Sequence, residues 1–407
     1  MNTLLKISWR NLWRNKRRTL ITTASVFLAV FLALFMRSMQ IGSYEVMINS
    51  AVTEVGHLQV HDSGYWESKS INDSFEFTKA LKNKVKSFEN VKAVTPKLET
   101  FALGSYGENT KGFMLQGIVP SIEDPRKKIS NKLIEGRFLT EHDDGIVLAE
   151  GLANFFKIGI NDTLVLIGQG YQGISAVGIF PVVGIVKYPI PKLNNLIAYM
   201  SLSKVQETFS PYHPGLISGL VIDLHDDGDL EADAAELNHL IGGDYEVMSW
   251  EKMLPEIVQQ IDGDNVGGII MLAILYLIVA FGILGTVLMM TMERRKEFAI
   301  MVAVGMHRFK LAVVVFIETI FIGLMGTIAG IIVSLPFLKY LYHNPIPLTG
   351  ETAEMMLEYN IEPVMPFSLE LFIFTNQGMT ILILAFLAAL YPIVFVNRFK
   401  ILKAMRS

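Results

Sequence analysis

The sequence predicts an α-helical membrane protein with four transmembrane helices in a 1 + 3 arrangement and a large α+β extracytoplasmic domain between helices 1 and 2. Three observations carry that prediction. Of 407 residues, 51% are hydrophobic and only 18% charged, against about 25% charged in an average soluble domain, and the mean hydropathy is +0.40. Four apolar runs are long enough to cross the bilayer, which takes about 20 helical residues. The short segments flanking these runs are basic while the long insert is acidic, the asymmetry that sets orientation. This composition excludes a disordered chain, a collagen-like repeat and a small disulfide scaffold. The chain has no cysteine, so thiol nucleophiles, thiolate metal sites and disulfides are excluded as well.

Residues 1–18 read as a cytoplasmic amphipathic elbow helix. Leu5, Trp9, Leu12 and Trp13 fall on one helical face and Lys6, Arg10, Arg14 and Arg17 on the others. Such a helix lies in the headgroup plane, with Trp9, Arg10, Trp13 and Arg14 at the membrane interface; a plain basic flank is the simpler alternative. Residues 19–42 are the first transmembrane helix, opening with 18 uncharged residues over 19–36. A cleaved signal peptide has a shorter apolar core and a small-x-small site, which Met36-Arg37-Ser38-Met39-Gln40 lacks, so an uncleaved anchor is expected.

Residues 43–265 are the extracytoplasmic domain. Its start, 43–56, continues the first helix as a stalk. From Gly56 onward the pattern changes: His57–His61, much of 91–119, and the β-branched, glycine-rich stretch 164–187 read as strands of a mixed sheet. Residues 229–241 and 250–265 read as helices, the second feeding the next span. Residues 266–292 (uncharged), 311–338 (with Glu318) and 371–397 (uncharged) are transmembrane helices 2 to 4. Between them lie a cytoplasmic coupling loop, 293–310, and an extracytoplasmic loop, 339–370; a cytoplasmic tail, 398–407, ends the chain. Residues 1–18, 293–310 and 397–407 hold 15 of the 35 Lys and Arg, whereas 43–265 holds 18 basic and 31 acidic residues. The positive-inside rule then places both termini and the 293–310 loop in the cytoplasm and the insert outside it.

Most motifs with a chemical meaning fail on context. Gly168, Gly170 and Gly173 spell G-x-G-x-x-G, but a strand-like Ile-Ser-Ala-Val follows where a dinucleotide site needs a helix, so hairpin turns are expected. His57 and His61 would share a metal on a helix; on a strand they stand about 13 Å apart. The aspartates 223, 226, 227 and 229 lack the remainder of a calcium loop and read as a polar turn. No metal site, catalytic residue or nucleic-acid partner is expected. The chain contains no Gly-Lys pair and so no Walker A sequence: if ATP is used, another chain binds it. Glu318, about seven residues into its span, is a functional suspect by default; pairing with the 294–296 basic cluster, or reaching headgroup water, is the equal alternative. Gly323, Gly326 and Gly330 permit close helix packing. In the coupling loop, Glu293-Arg294-Arg295-Lys296-Glu297 precedes an apolar stretch closed by Gly305, reading as a short helix with acid at its start and a glycine cap. It would display Phe298, Met301 and Val302, either to a groove on a partner or to the inner leaflet.

The pattern E-R-x-x-E-F-x-I-x-x-A-x-G over 293–305 resembles the coupling loop of the FtsX-like, MacB-type ABC transporter permeases. The start Ser8-Trp9-Arg10-Asn11-Leu12-Trp13-Arg14, the stretch Gly136-Arg137-Phe138 to Ala153, Trp250–Pro255 and the tail from Tyr391-Pro392 to Arg406 are similar to that group in order. Val302 and Ile401 depart from its pattern. The resemblance, closest to the lipoprotein-releasing LolC/LolE-like branch, implies a non-enzymatic transport subunit in the cytoplasmic membrane. It implies a dimer of permeases, as a second copy or a homologue, working by mechanotransmission on a separate ABC ATPase that binds ATP and Mg. Glu293, Arg294, Arg295, Glu297, Phe298, Met301 and Gly305 would be the ATPase-coupling residues, and a lipoprotein substrate, an extracytoplasmic acceptor and membrane lipids the other partners. The alternative is an FtsX-type signalling scaffold that controls an outside partner such as a cell-wall hydrolase without moving substrate.

Overall fold

The computed structural model describes residues 2–14, 16–188, 191–358 and 363–398; the basic tail residues Lys400, Lys403 and Arg406 lie outside the described residues. The chain divides into a membrane unit (1–46, 260–347 and 365–407) and an inserted unit (47–259 and 348–364). Among the described residues four helices are long and apolar enough to cross a membrane. Helix α1 (Asn2–Arg14) is followed by α2 (Lys16–Val55), a single 40-residue helix that covers both the expected first span and its stalk. The turn between them is tied by the Thr19 hydroxyl, which donates to the Leu12 carbonyl at 2.8 Å.

The inserted unit is built on ten strands. In chain order these are β1 (Leu58–Asp62), then, after helix α3 (Lys79–Lys86), β2 (Val91–Tyr106) and β3 (Asn109–Ile118). Helix α4 (Pro120–Lys127) leads to β4 (Leu133–Gly136) and β5 (Ile146–Ala149), and helix α5 (Glu150–Phe156) to β6 (Thr163–Gln169), β7 (Ser175–Val186) and β8 (Ile197–Ser201). Helix α6 (Leu202–Phe209), β9 (Gly219–Leu224), helix α7 (Leu230–Ile241) and β10 (Tyr245–Ser249) complete it. Strands β2-β3-β8-β5-β7-β6 pair in sequence and β6 pairs back to β2, closing a six-stranded ring. Alternation along each strand sends Leu115, Leu148, Leu166, Phe180 and Met200 into one core, capped by Phe156 and Phe209. The other end of the long β2 joins β9, β1 and β10, whose apolar face packs on α3, α7 and the end of α2.

The expected helix over 250–265 is broken: a short turn, Trp250–Met253, ends at Leu254, and α8 (Pro255–Glu293) begins on Pro255. A proline is favoured at a helix's first position and inside a helix costs a backbone hydrogen bond, which accounts for α8 starting afresh on Pro255. Helix α9 (Arg295–Ala303) follows after one residue, then α10 (Arg308–His343) and α11 (Leu371–Arg398). The membrane unit packs α2, α8, α10 and α11 through one apolar cluster that includes Val30, Val287, Leu338 and Ile381. Gly326 and Gly330 let α10 lie directly on α2: a Cβ there would stand 2.6 and 2.7 Å from the Cβ atoms of Val26 and Val30. Gly323 does the same toward Ala385 of α11, at 2.8 Å. All three serve helix packing.

Candidate functional site

Helix α9 is set off from its neighbours at both ends. Arg294, at φ −85° and ψ 8°, interrupts the helical run between α8 and α9. Beyond Ala303 the chain closes a Schellman turn: the Gly305 and Met306 N–H groups donate to the carbonyls of Val302 and Met301, at 3.1 and 2.9 Å, with Gly305 at φ +109°. Glu297 stands in the first turn, where the helix dipole favours a carboxylate. One expectation fails here. Phe298 is not displayed; it is 1% exposed and packs with Leu311, Ala312 and Val315 of α10, with Met301 and Val302 half-buried beside it. A nine-residue helix cannot hold its place by propensity alone, so its largest apolar residue is used as the anchor. The exposed face instead carries Lys296, Ile300 and Val304, at i, i+4 and i+8, with Val304 83% exposed. That spacing was the available signal, since Phe298 and Val302 cannot share it.

Arg294 is likewise buried rather than part of a cytosolic basic patch. Its guanidinium donates to Glu318 at 2.5 Å and to Glu297 at 3.3 Å, and lies over the Phe298 ring. The other Glu318 oxygen accepts from the Asn11 amide at 2.7 Å, and Arg14 bonds Glu297. Glu318 thus has the partner in the 294–296 basic cluster that its burial calls for. Asn11 escaped sequence reasoning because a single amide carries no pattern. On α1, Ser8 donates to the Val314 carbonyl and Leu12 is buried, so Leu12 leaves the expected tryptophan face. The exposed stripe is Leu5, Trp9 and Trp13, with Trp9 edge-on to Phe321; Arg10 and Arg14 are exposed beside it. Glu293 and Arg295 sit at the corner, Glu293 exposed and Arg295 half-buried.

The membrane unit also holds an open groove of about 300 Å³ among α2, α8 and α11, lined by Arg37, Leu272, Tyr276, Phe372, Asn376 and Gln377. Arg37 closes its top and donates to Gln40 and Asn265 at 2.7 and 2.9 Å; Tyr276 bonds Gln377 below. Arg37 follows the uncharged run 19–36, which at 1.5 Å per residue spans the hydrocarbon and sets the guanidinium at headgroup depth.

In the inserted unit, Gly168 pairs within β6 and Gly170–Gly173 lie in the expected hairpin turn between β6 and β7, with Gln172 and Gly173 at positive φ. His61 lies within β1 and His57 just before it; His57 accepts from the Leu224 N–H, while His61 is buried, stacked on Tyr65 and donates to the Ser218 carbonyl at 2.9 Å. Burial first, then the Lys97 charge, lowers the His61 imidazole to about 4. Burial raises the nearby Glu99 carboxyl, but Lys97, bonded at 3.0 Å, more than offsets this and leaves it below the usual range. Asp229 caps α7 through the Ala232 N–H. Gly136 ends β4 at φ +76°, and Arg137 pairs with Asp143. One side of the ring is covered by a second apolar layer, but the other exposes Phe101, Leu103, Met114, Ile167, Val177 and Ile179. Leu103, Ile167 and Val177 lie in register across β2, β6 and β7.

Residues 269–401, spanning the end of α8, the α9 corner, α10 and α11, match the FtsX-like permease C-terminal family. The match is confined to this C-terminal third of the chain. The chain is 22% identical over 250 residues to the lipoprotein-releasing system transmembrane protein LolC of Xylella fastidiosa, covering 60% of this chain and 59% of that one. It is 23% identical over 255 residues to LolC of Neisseria meningitidis, covering 60% of each. The chain thus spans about 60% of the length of the curated relatives it matches. Among solved structures, the periplasmic region of MacB from Actinobacillus actinomycetemcomitans aligns at 18% identity and TM-score 0.34, over 51% of this chain and 95% of that one. The extracellular domain of YknZ, a noncanonic ABC-type transporter from Gram-positive bacteria, aligns at 18% identity and TM-score 0.33, over 47% and 99%.

Proposed function

We propose that this chain is the permease subunit of an ABC transporter working by mechanotransmission, and that it releases acylated lipoproteins from the outer leaflet of the cytoplasmic membrane. A separate ATPase subunit binds ATP and Mg. The observation that carries the reading is α9: a short helix between two spans, anchored by Phe298 and offering Ile300 and Val304 outward. An aliphatic pair at i, i+4 on a rigid base suits a groove on a partner. The basic segments around α1 and α9 support a cytoplasmic location for both termini and this corner, where an ATPase works. A second permease, copy or homologue, completes a dimer.

The lipoprotein part is supported by the likeness to LolC and by the groove under Arg37. Drawing acyl chains from a bilayer costs about 0.8 kcal/mol per CH₂, so extraction of a multiply acylated anchor needs an energy source such as ATP. The groove offers apolar walls for a chain, and the exposed aliphatic side of the strand ring a surface for an extracytoplasmic acceptor. The test is reconstitution of the chain and its ATPase subunit in proteoliposomes carrying a fluorescent triacylated lipoprotein. ATP-dependent appearance of that lipoprotein in solution with an acceptor present is the expected result. Equal ATP turnover with no release contradicts the transport reading and leaves a scaffold that moves no substrate.

A further inference from the structure

The bonds around Arg294 form a closed circuit. Asn11 and Arg14 stand one turn apart on α1. Asn11 bonds Glu318 on α10, Glu318 bonds Arg294 at the α8–α9 corner, Arg294 bonds Glu297 on α9, and Glu297 returns to Arg14. The Arg294–Glu318 link is buried at both partners, with side chains 7% and 2% exposed. Replacing such a pair by well-packed apolar residues is often neutral or stabilising, so stability alone is a weak reason to keep it. What it provides is direction. Each bond tolerates little change in distance or angle; low local dielectric strengthens the buried Arg294–Glu318 link, whereas Arg14 and Glu297 are about half exposed and close the circuit at its solvent side.

We propose that Arg294 and Glu318 are a positioning pair that locks α9 to α1 and α10 as one body. Force applied at the Ile300–Val304 tip then passes through α1 to the first span instead of being lost as bending at the Arg294 break. This rests on the reading of α9 as the ATPase-docking helix. Glu318 is therefore a strut inside the lever and not a substrate or proton-binding group, and Asn11 joins it because it engages the second carboxylate oxygen. The tip itself takes no part in the circuit, so docking and transmission are separable.

The test uses the full chain, alone and with its ATPase subunit, in phosphatidylethanolamine–phosphatidylglycerol nanodiscs. The chain has no cysteine, so Lys6→Cys and Lys296→Cys, both exposed positions, give one spin-label pair reporting α1 against α9; because Lys296 shares the outward face with Ile300, distances are read on the chain alone, and turnover and ATPase retention on the unlabelled chain. The expected parent distance distribution is narrow. The Arg294→Met, Glu318→Leu double variant, which keeps the site filled and leaves no buried charge unpaired, is expected to fold and to broaden that distribution. It should also lower substrate-stimulated ATP turnover about tenfold, an ordinary coupling free energy, while retaining as much ATPase subunit as the parent. An unchanged distribution in the double variant overturns the proposal, as does full stimulated turnover despite broadening. A parent chain that holds no ATPase subunit contradicts the functional reading instead; the label distances then still decide whether the circuit ties the helices together.

Discussion

Phe298 and Val304 lie six residues apart on or just past the same short helix, and substitution at each should fail in opposite ways. Phe298 is 1% exposed among Leu311, Ala312 and Val315. Truncation to alanine removes a whole ring from a packed site, which costs about 3–5 kcal/mol in protein cores. Because Phe298 is the buried apolar contact of α9 with α10, the loss falls on α9 locally and loosens that packing, even with the Arg294–Glu318 pair still in place. Val304 is 83% exposed, so Val304→Asp changes folding by no more than about 0.5 kcal/mol. In a docked complex that carboxylate would be buried without a partner; at about 2 kcal/mol or more for a contact at the centre of an interface, affinity for the ATPase subunit drops at least about 30-fold. Hydrogen exchange read by mass spectrometry over 295–303 measures the first effect, and titration of the nanodisc-held chain with purified ATPase subunit the second. The expected pattern is fast exchange for Phe298→Ala with native exchange for Val304→Asp, and weak binding for both. Native exchange in Phe298→Ala together with native affinity in Val304→Asp would refute both the anchor and the tip.

Other perturbations have signs fixed by the geometry. Gly326→Leu forces side-chain atoms into Val26 and the Thr23 carbonyl, an overpacking expected to cost about 1–3 kcal/mol. Gly282→Leu, where no atom lies within 4 Å of the added Cβ, should leave folding unchanged; detergent-resolved thermal midpoints compare the two. Gly305→Val places a β-branched residue at φ +109° and should cost about 1–3 kcal/mol, visible as faster exchange at the Met306 amide. Acid should weaken the inserted unit through His61. Its folded imidazole sits near 4, below the ordinary 6.5, so the unfolded chain takes up the proton first as pH falls below 6.5. Stability then declines between pH 6.5 and 4 by about 3 kcal/mol, at 1.36 kcal/mol per pH unit. His61→Gln removes that part of the decline; melting followed by Trp66 and Trp250, in a Trp9→Phe, Trp13→Phe background, reads it, and parallel pH curves for the two proteins would contradict it.

Spans, strands and the isolated α9 were legible because each rests on periodicity or composition. Eighteen uncharged residues admit few fates, and the alternation in β2 and β3 repeats often enough to be seen. The details that failed depend on neighbours distant in sequence. Leu12 shares a helical face with Trp9 on paper, but it is buried, one turn beyond Ser8, which bonds Val314 of α10 306 residues away. Phe298 looked like a docking residue because nothing local says which face of a nine-residue helix finds its own protein first. Glu318 carried two readings because a buried carboxylate advertises a need for a partner without naming it; Arg294 fills that need from an interruption of the helix that no propensity scale encodes. The break after Trp250–Met253 was readable in Pro255, whose ring favours the first position of a helix over its interior.

The central claim is that a motor grips α9 from the cytosol. A photoactivatable amino acid at position 304, irradiated in intact cells, tests it in one step. The account predicts a crosslink to an ABC ATPase subunit that changes in yield when ATP is depleted. Crosslinks to lipid or to an outside protein alone, with the ATPase subunit present in the same membranes, would contradict it.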